Sequence, residues 1–393
     1  MANFNRQEQY DKINSSMRTL GVETVLRSGS VTPVLPYARP AKFGISQPEV
    51  AEVLREMRDF NDWPGTWEKS ARRYENLADG LTQQLANSLT ARDAYVHASY
   101  IYHLAQLYCR DSETKARLHS KSVATYQEAC RYLDPPITEV NISFNGLQIP
   151  GYLRLPSGEN RAESVPWVLL VDGADTTKEE AHYQAEAFVN GNLAVFYFDG
   201  PGQGVLRLSS KVELGTYENA ISQIITALIR KFPALNPEKI GIYGISTGGY
   251  LALRSACHDD RIKAIVSVGG FIDARGYFNS PITTQESVQA LFGIESRDKM
   301  VQFLREKISI RDSVRNLRKR QLIVYGGRDH LVPREEIDDL MQEVGEWATL
   351  IVFKEGTHAL QNVDHIVRPL VADWAAEAII NDRQLDLGFI DGF

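Results

Sequence analysis

The residue with the clearest capacity for covalent chemistry is Ser246, in the segment Gly-Ile-Ser-Thr-Gly of residues 244–248. The apolar run KIGIYG leads into this segment, and a run typical of a helix, YLALRSA, follows it. A serine on a tight turn from strand to helix presents its hydroxyl above the sheet, and the turn admits only small residues two positions to either side. The pattern predicts a nucleophilic serine; the alternative is a glycine-rich connection with an incidental serine.

An acid and a base follow Ser246 in the chain order serine, aspartate, histidine. Asp329 stands after the apolar run QLIVY, and His358 stands after the apolar run TLIVF. Because the carboxyl ends of parallel strands meet at one edge of a sheet, we expect the three side chains to meet there. His358 would take the serine proton, and Asp329 would orient the imidazole and stabilise its cation. The alternative for Asp329 is a cap for the helix that begins near Pro333.

A third loop, after the apolar run WVLLV, would help to bind the oxyanion. The predicted donors are the backbone amides of Thr247 and Ala174, one after the nucleophile and one in this loop. Asp175 would then lie beside the substrate, where its carboxylate could hydrogen-bond a hydroxyl or an enol. The alternative for Asp175 is a cap for the helix predicted in TTKEEAHYQAEAF.

Neither a cofactor nor a metal ion is predicted. The glycine-rich segment DGPGQG, residues 199–204, lacks the Lys-Ser or Lys-Thr pair of a phosphate loop and does not open a helix, so we predict a tight turn beside the active site. The cysteines form no CxxC pair, which argues against a zinc site and against a disulfide framework. They are Cys109, Cys130 and Cys257.

The elements that would position these residues fall into two halves, because the pattern changes near Pro135. Residues 1–134 predict an all-helical cap domain of about four helices. Residues 135–393 predict a catalytic domain of the α/β class. The predicted helices of the cap are 46–60, 66–88, 90–109 and 113–133. Ser46 would cap the first and Thr66 would open the second. The third follows Thr90 and has Asp93 at its third helical position.

The second half alternates strand, turn and helix. Asn145-Gly146 between two strand-like runs predicts a β-hairpin. Short apolar runs then predict buried parallel strands, so we expect a mostly parallel sheet flanked by helices. Residues 277–318 are predicted to be a helical insertion over the edge of the sheet where ligands bind. The runs are PWVLLV, LAVFYF, KIGIYG, KAIVSV, QLIVY and TLIVF.

Composition narrows the class of protein. The chain has 393 residues, 43% hydrophobic and 24% charged, with a formal net charge of -7. That charge, mixed along the chain, argues against nucleic-acid binding and against a basic membrane-surface contact. The polar start MANFNRQEQYDKINSS predicts no secretory signal, and no run is long enough to span a membrane. With three reduced thiols, these features predict a cytoplasmic protein.

The motifs taken together resemble one branch of the α/β-hydrolases. This branch includes the 2,6-dihydropseudooxynicotine hydrolases, the FrsA-like proteins and the polyketide-shortening hydrolases of fungal pigment and bacterial anthraquinone pathways, and the last resemble the chain most closely. The resemblance covers nearly the whole chain. The motifs that carry it are LLVDGADTTKEE, FYFDGPGQG, GISTGG, VSVGGFID, GGRDHLVP and KEGTH.

The resemblance implies a helical cap over an α/β-hydrolase core, a homodimer, and cleavage of a carbon–carbon bond next to a ketone. The substrate would be an aromatic or polyketide small molecule, free or held on an acyl carrier protein. The family triad maps onto Ser246, Asp329 and His358. Asp175 stands where the nicotine-pathway enzymes have a glutamate, and its side chain is one methylene shorter.

Polar aromatic residues on the helix predicted at 90–109 are candidate substrate contacts. Tyr95, Tyr100 and His103 would suit a planar, oxygenated ligand. The alternative is a place in the core or at a dimer contact, and it is favoured for at least half of the aromatic residues of this helix, since they cannot all share one face.

Other functions fit the same triad. A carboxylesterase, a lactonase or an acyl-eliminating enzyme would use it unchanged. A protein of another class, a catalytically silent α/β-hydrolase that acts by binding, would not react with a fluorophosphonate at Ser246. A peptidase of the prolyl-peptidase type shares the core, but the helical first half argues against it.

Overall fold

The structure, a computed structural model, describes residues 38–58, 60–109, 111–157, 164–385 and 387. The chain divides into two units, Met1–Leu133 and Asp134–Phe393. The N-terminal stretch for which no secretory signal is predicted lies outside the described residues.

The first unit contains four long helices within its described part, and a short helix precedes them. Large apolar side chains fill the space between them. Trp67 is fully buried, and the indole N–H of Trp63 donates to the Leu104 carbonyl at 2.9 Å. The helices are α1 Ala38–Ala41, α2 Gln47–Glu56, α3 Trp63–Thr82, α4 Leu89–Leu107 and α5 Ser112–Cys130.

A capping serine and a proline explain where the first two long helices begin. Ser46 is the predicted N-cap of α2, and the structure confirms it, since its hydroxyl accepts from the Glu49 amide at 3.3 Å. The predicted start of α3 at Thr66 is wrong. The helix begins at Trp63, because a proline in its first turn supplies the helical φ and needs no hydrogen bond there.

The predicted start of α4 after Thr90 is also wrong. The helix begins at Leu89, and Ser88 is its N-cap. The Ser88 hydroxyl accepts from the Ala91 amide at 3.1 Å. A serine two positions earlier therefore satisfies the first free amides before Thr90 can do so.

The second unit is built on one sheet. The described residues form eight strands, in the spatial order first, second, fourth, third, fifth, sixth, seventh, eighth. Asn145 and Gly146 join the first two strands as predicted, with φ of 46° and 81°, the left-handed conformation that such hairpin turns require. The strands are β1 Ile137–Phe144, β2 Leu147–Arg154, β3 Val165–Val171, β4 Ala194–Phe198, β5 Leu235–Ile245, β6 Ile262–Val268, β7 Arg320–Gly326 and β8 Ala348–Phe353.

Strand direction and burial confirm the predicted fold class. β1, β2 and β4 pair in antiparallel fashion, and all pairs among β3 to β8 are parallel. Every residue of β4 is buried, as expected for a strand covered on both faces. The helices of this unit are α6 His182–Asn190, α7 Thr216–Lys231, α8 Thr247–His258, α9 Ile282–Phe292, α10 Arg297–Glu306, α11 Arg311–Val314, α12 Arg334–Val344 and α13 Asp364–Ile380.

The segment predicted as an insertion contains α9, α10 and α11, between β6 and β7. It contacts the loop that follows β4. The Val212 amide donates to the Leu291 carbonyl at 2.9 Å, and the Arg207 guanidinium donates to the Ser287 carbonyl, also at 2.9 Å. In the part of the chain that the structure describes, no helix is both long and apolar enough to cross a membrane.

Candidate active site

Ser246 lies between β5 and α8 in a strained backbone conformation. Its φ is 55° and its ψ is -124°, a region that residues with a side chain rarely adopt. A Cβ at position 244 would lie 2.0 Å from the Gly248 carbonyl oxygen, and one at position 248 would lie 2.2 Å from the Val171 carbonyl oxygen. Both glycines are therefore required for the turn to close, as the sequence pattern predicts.

The three predicted catalytic side chains meet in one hydrogen-bonded chain. His358 Nε2 lies 2.8 Å from Ser246 Oγ, and His358 Nδ1 lies 2.8 Å from Asp329 Oδ2. The Asp329 side chain is fully buried, and the His358 side chain is 16% exposed. An imidazole held in this way accepts from the serine on one side while it donates to a carboxylate on the other.

Asp329 also shapes its own loop after β7. Its Oδ1 accepts from the amides of Leu331 and Val332 at 2.8 and 3.0 Å, while Oδ2 faces His358. The alternative that Asp329 caps the following helix is wrong, since Pro333 is the N-cap of α12. The two amides fix the carboxylate so that one oxygen remains for the imidazole.

The loop that carries His358 is held by Asn362, which sequence reasoning missed. Asn362 Oδ1 accepts from the Thr357 amide at 2.9 Å and from the Thr357 hydroxyl at 3.0 Å, and its Nδ2 donates to the Glu355 carbonyl at 2.7 Å. Ala359 and Leu360 follow with φ of 57° and 54°. The histidine thus lies between Thr357, which Asn362 holds by hydrogen bonds, and two residues in the left-handed conformation. That conformation is unfavourable for Ala359 and Leu360, so the surrounding contacts must stabilise it.

We expect Asn362→Ala to lower kcat for p-nitrophenyl butyrate about ten- to a hundredfold, because a displacement of the catalytic base by about 1 Å has an effect of that size. KM is expected to change less than about threefold, since the substitution removes no predicted substrate contact. Steady-state kinetics at saturating ester would measure both. Asn381→Ala is the matched control, because Asn381 Nδ2 donates to Glu377 at the exposed end of α13. Wild-type kcat in the Asn362 variant would contradict the positioning role.

The predicted oxyanion donors lie on the two segments that border Ser246. Thr247 is the first residue of α8, so its amide has no acceptor within the helix and can donate to an anion. The loop after β3 lies close by, because a Cβ on Gly173 would be 3.6 Å from Ser246 Cβ. Ala174 follows Gly173 in this loop and is partly buried.

Asp175 is partly buried in the same loop, and the structure does not place it at a helix start. A 3₁₀ turn, Lys178–Ala181, has Thr177 as its N-cap, and α6 begins only at His182. The alternative that Asp175 caps this helix is therefore wrong. The helix begins later than predicted because tertiary contacts hold Lys178 and Glu179.

The main tertiary contact is a buried group of charges centred on Lys178. Asp199, which follows β4, accepts from the Lys178 amide and from Lys178 Nζ, both at 2.9 Å, and Glu179 lies 2.7 Å from the same Nζ. Burial alone would lower the pKa of Lys178, but the two carboxylates raise it above its ordinary value. Asp199 thus joins the loops after β3 and β4 beside the nucleophile, and the glycine-rich turn DGPGQG begins at this residue.

The three candidate substrate contacts of the first unit have packing partners inside that unit. Tyr95 donates to Asp79 Oδ1 at 2.7 Å, and burial together with this bond raises its pKa to about 12. Tyr100 stacks on Phe43 with ring centroids 3.6 Å apart, and His103 Nδ1 lies 3.1 Å from Gln106 Nε2. These contacts favour the core alternative, and a substrate role for the three residues stays a prediction.

The sheet, the strained serine turn and the order of the triad define an α/β-hydrolase. Within this class, the family model described as "Esterase FrsA-like" matches residues 58–289, more than half of the chain. The chain therefore belongs to the FrsA-like family and is an enzyme of the hydrolase class. A model of the prolyl oligopeptidase family matches residues 210–379, which lie within the second unit.

Individual relatives extend the similarity to most of the chain. The 2,6-dihydropseudooxynicotine hydrolase of Paenarthrobacter nicotinovorans is 28% identical over 90% of this chain and 94% of its own length. The crystal structure of a 2,6-dihydroxy-pseudo-oxynicotine hydrolase matches 89% of this chain and 97% of its own, with a TM-score of 0.80 and 26% identity. The 20-hydroxy-prefusarin hydrolase FUS2 of Gibberella moniliformis is 33% identical over 57% of each chain, so this chain spans only about half the length of that relative.

Proposed function

We propose that this enzyme cleaves a carbon–carbon bond next to a ketone in a β-dicarbonyl substrate, with Ser246 as the nucleophile. The observation that carries the proposal is the imidazole of His358 between Ser246 and Asp329, at 2.8 Å from each. A relative that matches 90% of this chain is a 2,6-dihydropseudooxynicotine hydrolase, and the resemblance to that branch implies this reaction.

The first half of the reaction forms an acyl-enzyme. Ser246 Oγ attacks the ketone carbon while His358 Nε2 takes its proton. The amides of Ala174 and Thr247 bind the oxyanion that develops. When this intermediate collapses, the carbon–carbon bond breaks and its electron pair leaves as an enolate, which the second carbonyl stabilises. His358 then gives the proton to the leaving carbon.

The second half releases the acid. A water molecule loses its proton to His358 and attacks the ester carbonyl, and collapse returns the proton to Ser246. Asp329 keeps the imidazole in the required tautomer in both halves. Asp175, partly buried in the loop after β3, would hydrogen-bond the enol of the substrate.

We also propose a substrate class, a cellular location and an oligomeric state. The substrate is a polyketide or another oxygenated aromatic molecule, free or on an acyl carrier protein, and shortening it would be a retro-Claisen step, as in bacterial anthraquinone pathways. Support comes from the relative named a 20-hydroxy-prefusarin hydrolase. The enzyme would work in the cytoplasm, as a homodimer, with residues 1–134 as the cap.

The test is a comparison of β-diketones with esters. We expect the purified chain to convert benzoylacetone and longer aryl β-diketones into one acid and one ketone, with one heavy-oxygen atom from labelled water in the acid. Products would be identified by mass spectrometry, with the Ser246→Ala variant as the control. Hydrolysis of p-nitrophenyl esters or lactones without diketone cleavage would favour the esterase alternative, and no reaction of Ser246 with a fluorophosphonate would favour a binding protein.

A further inference from the structure

The loop that would supply an oxyanion donor is held by two side chains from a neighbouring segment and by one side chain of its own. Gln203 Nε2 donates to the Asp172 carbonyl at 2.5 Å, and Arg207 Nη1 donates to the Ala174 carbonyl at 2.6 Å. The hydroxyl of Thr176 donates to the Gly173 carbonyl between them at 3.4 Å. Three successive carbonyls therefore accept from side chains.

Fixing these carbonyls also fixes the amides. In a trans peptide the N–H of one residue points away from the C=O of the residue before it. The carbonyls of residues 172 and 174 are directed to the segment of Gln203 and Arg207, so the amides of residues 173 and 175 face the other way, and the Ala174 amide lies between them. A Cβ on Gly173 would be 3.6 Å from Ser246 Cβ, which places the nucleophile next to this loop.

Arg207 differs from the other two donors because it also reaches the insertion. Its Nη2 donates to the Ser287 carbonyl of α9 at 2.9 Å. Burial lowers the pKa of Arg207, while the nearby Asp175 carboxylate raises it. A guanidinium keeps its charge in proteins, and its planar fork suits two acceptors at once.

We propose that Arg207 is a positioning residue for the oxyanion hole, in which one guanidinium holds the loop after β3 against helix α9 and so directs the loop amides toward Ser246. The inference rests on the proposed triad hydrolase, and it adds a residue that touches neither the triad nor the reacting atoms. It also makes the insertion part of the machinery, since a shift of α9 would be passed to the loop through this side chain.

The test compares Arg207→Gln with a matched variant at the other end of the sheet. Lys319, just before β7, is also a partly buried cation between two carbonyls, with Nζ at 2.5 Å from Ala256 O and 2.8 Å from Asp259 O. We expect Arg207→Gln to lower kcat for p-nitrophenyl butyrate about ten- to a hundredfold with KM changed less than about threefold. Lys319→Gln is expected to lower the melting temperature and leave kcat unchanged.

Two further readouts separate positioning from general damage. The acidic limb of the kcat/KM profile, which reports the imidazole, should keep its midpoint in Arg207→Gln, because the triad is untouched. Arg207→Lys should recover part of kcat, since an ammonium can bond one carbonyl but lacks the planar fork. If Arg207→Gln fails to fold, Arg207→Lys is tested in its place, with Lys319→Arg as the control. A wild-type kcat in Arg207→Lys would then count against the inference.

The same series distinguishes failure of the inference from failure of the proposed function. Wild-type enzyme that does not react with a fluorophosphonate at Ser246 would overturn the triad and the inference together. Normal labelling of the wild type with an unchanged kcat in Arg207→Gln, or with a displaced acidic limb, would overturn the inference alone. A lowered kcat with a stable fold, an unmoved acidic limb and a normal Lys319→Gln would support it.

Discussion

Ser246→Ala is expected to lower kcat for an ester or a β-diketone by at least about 10⁴-fold, because removing the nucleophile of a triad has an effect of this order or larger. His358 Nε2 would lose its partner at 2.8 Å, and no acyl-enzyme could form. Alanine keeps the Cβ and therefore the same strain at a φ of 55°, so the melting temperature should stay close to that of the wild type. Kinetics, fluorophosphonate labelling and calorimetry would measure the three effects.

The control for this variant comes from α8, the helix that follows Ser246. Ser255 is a buried serine of α8 whose hydroxyl donates to the Leu251 carbonyl one turn earlier, at 2.7 Å. Ser255→Ala should keep full activity and full labelling. Activity of Ser246→Ala within about tenfold of the wild type would contradict the assignment of the nucleophile, since catalysis without it is limited to transition-state binding.

The parts of the site that could be predicted depend on local rules. The need for glycine at positions 244 and 248 could be predicted because any side chain there would collide with a backbone carbonyl. The meeting of Ser246, Asp329 and His358 could be predicted because parallel strands bring their carboxyl ends to one edge of the sheet. The eight described strands could also be predicted from local patterns, the first two from the hairpin signal at Asn145-Gly146 and the other six from short apolar runs bounded by turns.

The parts that could not be predicted depend on side-chain contacts that no local sequence pattern encodes. Arg207 bonds a carbonyl 80 residues later in the sequence, and Asn362 bonds residues of its own loop without a recognisable motif. The helix after Asp175 begins late because Asp199, in the loop after β4, holds the Lys178 amide. Periodicity carries no information about such pairs, so tertiary contacts overrode the local preference.

Asp329→Asn is expected to lower kcat about 10⁴-fold with little change in stability, a loss known for this kind of substitution in triads. The two backbone amides of Leu331 and Val332 require an acceptor, so the carbonyl oxygen of the asparagine would face them. Its NH₂ group would then point to His358 Nδ1, which must accept instead of donate. The proton would move to Nε2, and an imidazole protonated there cannot take the proton of Ser246.

Substitutions at Asp329 can separate its bonds to the loop amides from its bond to His358. Asp329→Ala removes the loop acceptor as well and should lower the melting temperature, whereas Asp329→Asn should not, since it keeps both loop bonds. Asp338→Asn is the control for charge alone, because Asp338 pairs with Arg334 at 2.8 Å on the exposed surface of α12. An Asp329→Asn variant that retains more than about a tenth of wild-type kcat would mean that the carboxylate does not fix the imidazole, since a wrong tautomer leaves far less.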